Sequence, residues 1–227
     1  MRNRLITLIA LLAGSFAIAC GGAQNMEEPT ETTETEVTEE EAVEMTTLRL
    51  VHAAQAATAS VYAGDAELAG GLQAGDVSDL LEVPAGAHDL SVRSASGTTT
   101  LAEATVELPT DAGTTIIVGG TSESLALIVA EDQSPEPAEG HAFVRFVNAS
   151  TTAGALTATA DGRGYAAGVA PGTASLFIQV PAGSTTFELA GSELSATSGI
   201  NLAAGSVYTL VAHTATGDEM GAFVITH

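Results

Sequence analysis

From Leu48 onward, apolar residues recur at every second position in short runs, and Gly, Pro, Asp and Ser punctuate them. Leu81 and Val83 lead into Val83-Pro84-Ala85-Gly86, and Leu90 and Val92 lead out of it. Ile178 and Val180 lead into the same four residues at Val180-Pro181-Ala182-Gly183, and Phe187 and Leu189 lead out. A period of two places one set of side chains on one face of a strand, and that face is buried when the set is apolar. Pro fits the second position of a type I turn and Gly the left-handed residue after it, so each motif predicts a three-residue hairpin loop with a bulge. The same reading predicts strands near 48–53, 58–63, 77–83, 88–93, 100–108, 114–119 and 124–130. A second set is predicted near 142–149, 155–160, 173–180, 185–190, 194–202, 206–213 and 220–226. No stretch sustains a helical period, and the chain is predicted to be all-β.

The two sets of strands are copies. Leu48-Arg49-Leu50-Val51-His52-Ala53 returns 96 residues later as Val144-Arg145-Phe146-Val147-Asn148-Ala149, and the Val-Pro-Ala-Gly turns are 97 apart. Repetition at this spacing predicts two tandem antiparallel β-sandwich domains, immunoglobulin-like or transthyretin-like, at 47–132 and 141–227. The segment 133–140 holds Pro135 and Pro137 and reads as a short, stiff linker that sets the domains end to end. A direct interface between them is left open by this reading.

Ahead of the strands the pattern changes twice. Arg2 and Arg4 precede the apolar run Leu5–Ile18, which is too short for a comfortable membrane span and reads as the core of a signal peptide covering 1–19. The run ends in Ala17-Ile18-Ala19-Cys20, which resembles a bacterial lipoprotein signal. That resemblance implies lipidation of Cys20, membrane attachment through acyl chains, and sorting to the outer membrane where the organism has one. Secretory cleavage without a lipid is the alternative. Residues 20–46 carry nine Glu and little that packs, and this acidic segment is predicted to remain an extended, disordered tether. At about 3.3–3.6 Å per residue it can reach tens of ångströms.

Charge and composition exclude several function classes. The formal net charge is −22, with six Arg and no Lys against 28 acids, so a phosphate backbone is repelled and nucleic acid is excluded as a partner. Aromatic residues make up 4% of the chain and Trp is absent, which argues against stacking on sugars. With Cys20 the only cysteine, no disulfide forms within the chain. The five His lack metal-ligand spacing and no nucleophile elbow is present, so no metal, cofactor or catalytic residue is expected. Asp161-Gly162-Arg163-Gly164 reads as a hairpin turn, without the alternating acids of a calcium loop.

Arg-x-Val-His-Ala at 49–53, Val61-Tyr62 and the block Ser78–Gly86 resemble the bacterial domain of unknown function 4397. Val144–Ser150, Pro181–Gly183 and Ala204–Thr209 extend the resemblance through the second copy, to nearly all of 47–227. It implies an exported, often repeated module without an established activity. The copies differ at one point, where His52 becomes Asn148. Four residues are candidates for an interaction: Arg49 and Arg145, equivalently placed cations, and His52 and Asn148, which follow them. Each Arg either pairs with a neighbouring acid or contacts an acidic partner or the preceding domain. A lone His beside Ala fits a hydrogen-bonded loop or core residue better than a ligand. The whole reads as a non-enzymatic, lipid-anchored cell-envelope protein whose modules serve structural or protein-interaction roles. The alternative is a module binding a small ligand such as a carbohydrate, peptide or cation.

Overall fold

Seventeen strands and no helix make up the described residues of the computed structural model, which are 43–55, 58–133, 136–215 and 219–227. The signal-like segment, Cys20 and most of the acidic tether lie outside them. In the first half the strands are β1 (Met45–His52), β2 (Ala59–Ala63), β3 (Ala66–Leu72), β4 (Leu81–Pro84), β5 (Gly86–Ser94), β6 (Thr100–Leu108), β7 (Thr114–Thr121) and β8 (Ser124–Glu131). In the second they are β9 (His141–Asn148), β10 (Leu156–Ala160), β11 (Arg163–Val169), β12 (Thr173–Ala174), β13 (Ile178–Pro181), β14 (Gly183–Ala190), β15 (Ser195–Leu202), β16 (Val207–Thr214) and β17 (Met220–Thr226).

Each half is a sandwich of two sheets. The first pairs a sheet of order β4-β1-β7-β8 with one of order β3-β2-β5-β6. The second repeats the order as β12-β9-β16-β17, with β13 also on β9, and β11-β10-β14-β15. Four details differ from the expectation. The sandwiches are not wholly antiparallel, because β1 runs parallel to β7 and β9 parallel to β16. Two further strands, β3 and β11, pair with β2 and β10, and the single strand expected at 173–180 is broken into β12 and β13. The Val-Pro-Ala-Gly motif is not a hairpin: β4 pairs with β1 and β5 with β2, so the turn carries the chain from one sheet to the facing one. Gly86 and Gly183 still take positive φ there, 107° and 126°. The expected hairpin at Asp161-Gly162 is present, with both residues at positive φ between β10 and β11.

The apolar period sets the layers. Leu48, Leu50, Ile116 and Val118 point inward against Val61, Leu90, Val92 and Val106 in the first core. Val144, Phe146, Leu210 and Ala212 meet Ala158, Phe187 and Leu189 in the second. β1, β7, β9 and β16 are buried on both faces, as their nearly unbroken apolar runs require. Their outer faces form a third core, in which Val51, Ile117, Ile128 and Ala130 pack on Val147, Ala149, Val211 and Ile225. The four sheets therefore stack as successive layers, and in place of an end-to-end arrangement on a stiff linker the two halves share the interface left open above, forming one compact unit. Fully burying a Val or Ile is worth about 1.5–3 kcal/mol, so this middle layer outweighs the freedom of a short linker. Gly119 and Gly120 let the backbones touch there. A Cβ on Gly119 would lie 2.9 Å from the Ala149 carbonyl oxygen, and the Gly120 amide donates to that oxygen at 2.9 Å.

Candidate functional site

At one margin of the middle layer the apolar contacts are replaced by a polar cluster, and it contains both Arg residues singled out by the repeat. Arg145 sits on the outer face of β9, beside Thr209 in the parallel register with β16. Its Nε and Nη2 donate to Thr209 Oγ1 at 3.2 and 2.9 Å, its Nη1 to the Glu131 carbonyl at 2.6 Å, and its Nη2 to Asp132 Oδ1 at 2.8 Å. The guanidinium also lies over the Phe177 ring, 4.6 Å from its centroid. Thr115 on β7 donates to Asp132 Oδ2 at 2.8 Å.

Arg49 is placed in the corresponding way on β1, opposite Thr115. It donates to the Thr226 carbonyl at 3.1 Å and stands 3.4 Å from His227 Nδ1, while His227 Nε2 is 2.8 Å from Thr209 Oγ1. The exchange is reciprocal: an Arg of each half grips the end of the last strand of the other. The two grips are unequal. Arg145, with 3% of its side chain exposed, has a carboxylate partner, whereas Arg49 has an imidazole and remains half exposed.

Burial lowers the pKa of Arg145, and the neighbouring Asp132 opposes the shift. Burial likewise lowers that of His227, against Asp132, and Arg145 and Arg49 push it further down. At neutral pH the cluster thus holds two cations, one carboxylate and a neutral imidazole. Protonating His227 would add a third positive charge beside a single acid.

His52 and Asn148 are not part of this cluster. Asn148 lies at the end of β9, donates to the Gly154 and Val169 carbonyls at 2.8 and 3.0 Å, and accepts from the Ser150 amide at 3.2 Å. His52, at the matching end of β1, is fully buried with neither ring nitrogen hydrogen-bonded among the described residues. Burial lowers its pKa, with Asp76 opposing. A base whose folded pKa lies below its unfolded value of about 6.5 binds more protons when unfolded, so stability is retained above that pH and lost as pH falls below it. His52→Asn is expected to flatten this acid-side loss by up to about 1.4 kcal/mol per pH unit, as read from urea midpoints between pH 7 and pH 5.

Sequence reasoning did not find Asp132, Thr115, Thr209 or His227. Asp132 stands at the end of a strand beside the linker, and His227 reads as a terminal residue. The one available signal was that Thr115 and Thr209 occupy equivalent places in the copies. Among the described residues, no three His, Cys, Asp or Glu stand close enough together to hold a metal ion.

The family comparison bears on the same strands. The model of the domain of unknown function DUF4397 matches residues 46–159, just over half of the chain, from the start of β1 through most of β10. The chain belongs to the DUF4397 family. Among solved structures, the DUF4397 chain is similar to a carbohydrate-binding module of family CBM26 from Eubacterium rectale Amy13K, solved in complex with maltoheptaose. The identity is 10%, the alignment covers 80% of this chain and 96% of that one, and the TM-score is 0.24, too low to carry an argument about function. No curated protein matches.

Proposed function

We propose that this DUF4397 protein is a non-enzymatic component of the cell envelope, anchored by lipid on Cys20 and held off the membrane by the acidic segment 20–46. Its second half is a further copy of the family module, a reading supported by the shared strand order and the equivalent registers of β1–β7 and β9–β16. The pair of modules serves as one rigid body that presents its outer sheets and loops to another envelope protein.

One observation carries this reading. The charged side chains that sequence and structure bring together, Arg49, Asp132 and Arg145, are engaged with one another's halves across the middle layer. Such groups fix geometry, and a fixed body on a long tether suits presentation better than turnover. The anchor is tested by metabolic labelling with an alkyne palmitate analogue. Cys20→Ala is expected to lose at least nine-tenths of the label and to move the protein from membrane to soluble fractions. A Cys20→Ala protein that still sediments with membranes would remove the anchor from the proposal. The partner is tested by photo-crosslinking from outer-sheet positions in intact cells, and a pattern showing only lipid adducts would count against presentation.

A further inference from the structure

The two sandwiches have the same strand order but are filled differently. In the second, Phe187 on β14 packs edge-on against Phe146 and Tyr165, with centroids 5.3 and 5.6 Å apart. The positions matching these three rings in the first sandwich are Leu90, Leu50 and Leu68. Leucines fill less of the space, and a cavity of about 160 Å³ remains between the sheets, walled by Leu48, Val83, Leu90 and Leu108. Exposed Ala66 and Pro84 lie at its rim with half-buried His88, whose ring Nε2 is 2.7 Å from the Pro84 carbonyl oxygen.

We propose that this cavity is a binding site for a compact, uncharged hydrocarbon group of about benzene's size, such as the apolar end of a small molecule. Three features point that way. The wall is aliphatic, so a polar or charged ligand would surrender its hydration without a hydrogen bond in return. A water inside would lack the two to four polar partners that hold buried water in place. The volume matches that of an engineered cavity of about 150 Å³ in another protein, lined by Leu, Ile and Phe, which stays dry and binds benzene or xenon. The second sandwich supplies an internal control, because the larger rings of Phe187 and Tyr165 stand where Leu90 and Leu68 line this cavity.

The test uses the full chain with benzene as probe, followed by methyl-resolved NMR and thermal unfolding. Saturable shifts confined to the methyl groups of Leu48, Val83, Leu90 and Leu108, with a rise in melting temperature, are expected. Leu90→Phe copies the packing of Phe187 and should abolish both effects while the protein stays folded. If that variant fails to fold, Leu68→Phe fills the space from β3 and serves in its place. No saturable shift in the unaltered protein would overturn the proposal, and so would equal shifts in a folded, cavity-filled variant or shifts centred on the second sandwich.

Discussion

Asp132→Ala is expected to lower the free energy of unfolding by about 3–5 kcal/mol, among the largest losses available to a single polar substitution in this chain. Asp132 is the carboxylate partner of Arg145, whose side chain is 3% exposed. Removing it leaves a guanidinium buried between two sheets with only neutral acceptors, and the cost is the desolvation of that orphaned cation more than the strength of the lost contact. The double variant Asp132→Ala/Arg145→Met should recover most of the loss, since an apolar side chain suits a layer already built from Val147, Val211 and Ile225. Urea unfolding of the single and double variants provides the measurement. Equal losses in both would mean that burial of the charge is not what the aspartate offsets.

Ile117→Asp is expected to split one cooperative unfolding transition into two. Ile117 is fully buried in the middle layer, away from the core of its own sandwich, to which β7 contributes Ile116 and Val118. A carboxylate there would be surrounded by the aliphatic side chains of that layer and costs several kcal/mol to bury. Parting the two halves hydrates it, while each sandwich keeps its own core. Calorimetry should therefore show a single peak in the unaltered protein, with two peaks and a lower first midpoint in the variant. A single transition in the variant, shifted as a whole, would mean that neither sandwich stands without the other.

Legibility followed the physics of each element. Strands with one wet face, such as β5 and β14, alternate cleanly and were readable. β3 and β11 read as AELAGGL and RGYAAGV, rich in Gly and Ala and mostly outside the core, so they carry no period to detect. The Val-Pro-Ala-Gly motif misled because alternation gives the spacing of buried side chains but does not say whether the flanking strands share a sheet or face each other. The interface does leave a trace in the sequence. Thr115-Ile116-Ile117-Val118 and Phe143-Val144-Arg145-Phe146-Val147 are continuous where a half-wet strand would alternate, and continuity means burial on both sides. The duplicated Arg pair pointed to the polar cluster, but its acid and imidazole come from strand ends that no local pattern marks.

The place of β1 at the centre of the stack also governs how the chain can be completed. Its lateral neighbours are β4 and β7, and its outer face waits for Val147 and Val211, which are made much later. A growing chain thus pairs both edges of β1 once β7 is made, but leaves the outer face of Val51 uncovered until β9 and β16 follow. Contacts so distant in sequence close slowly. The strand order therefore makes the outer face of β1 the last of its surfaces to be covered, whatever the finished protein goes on to meet.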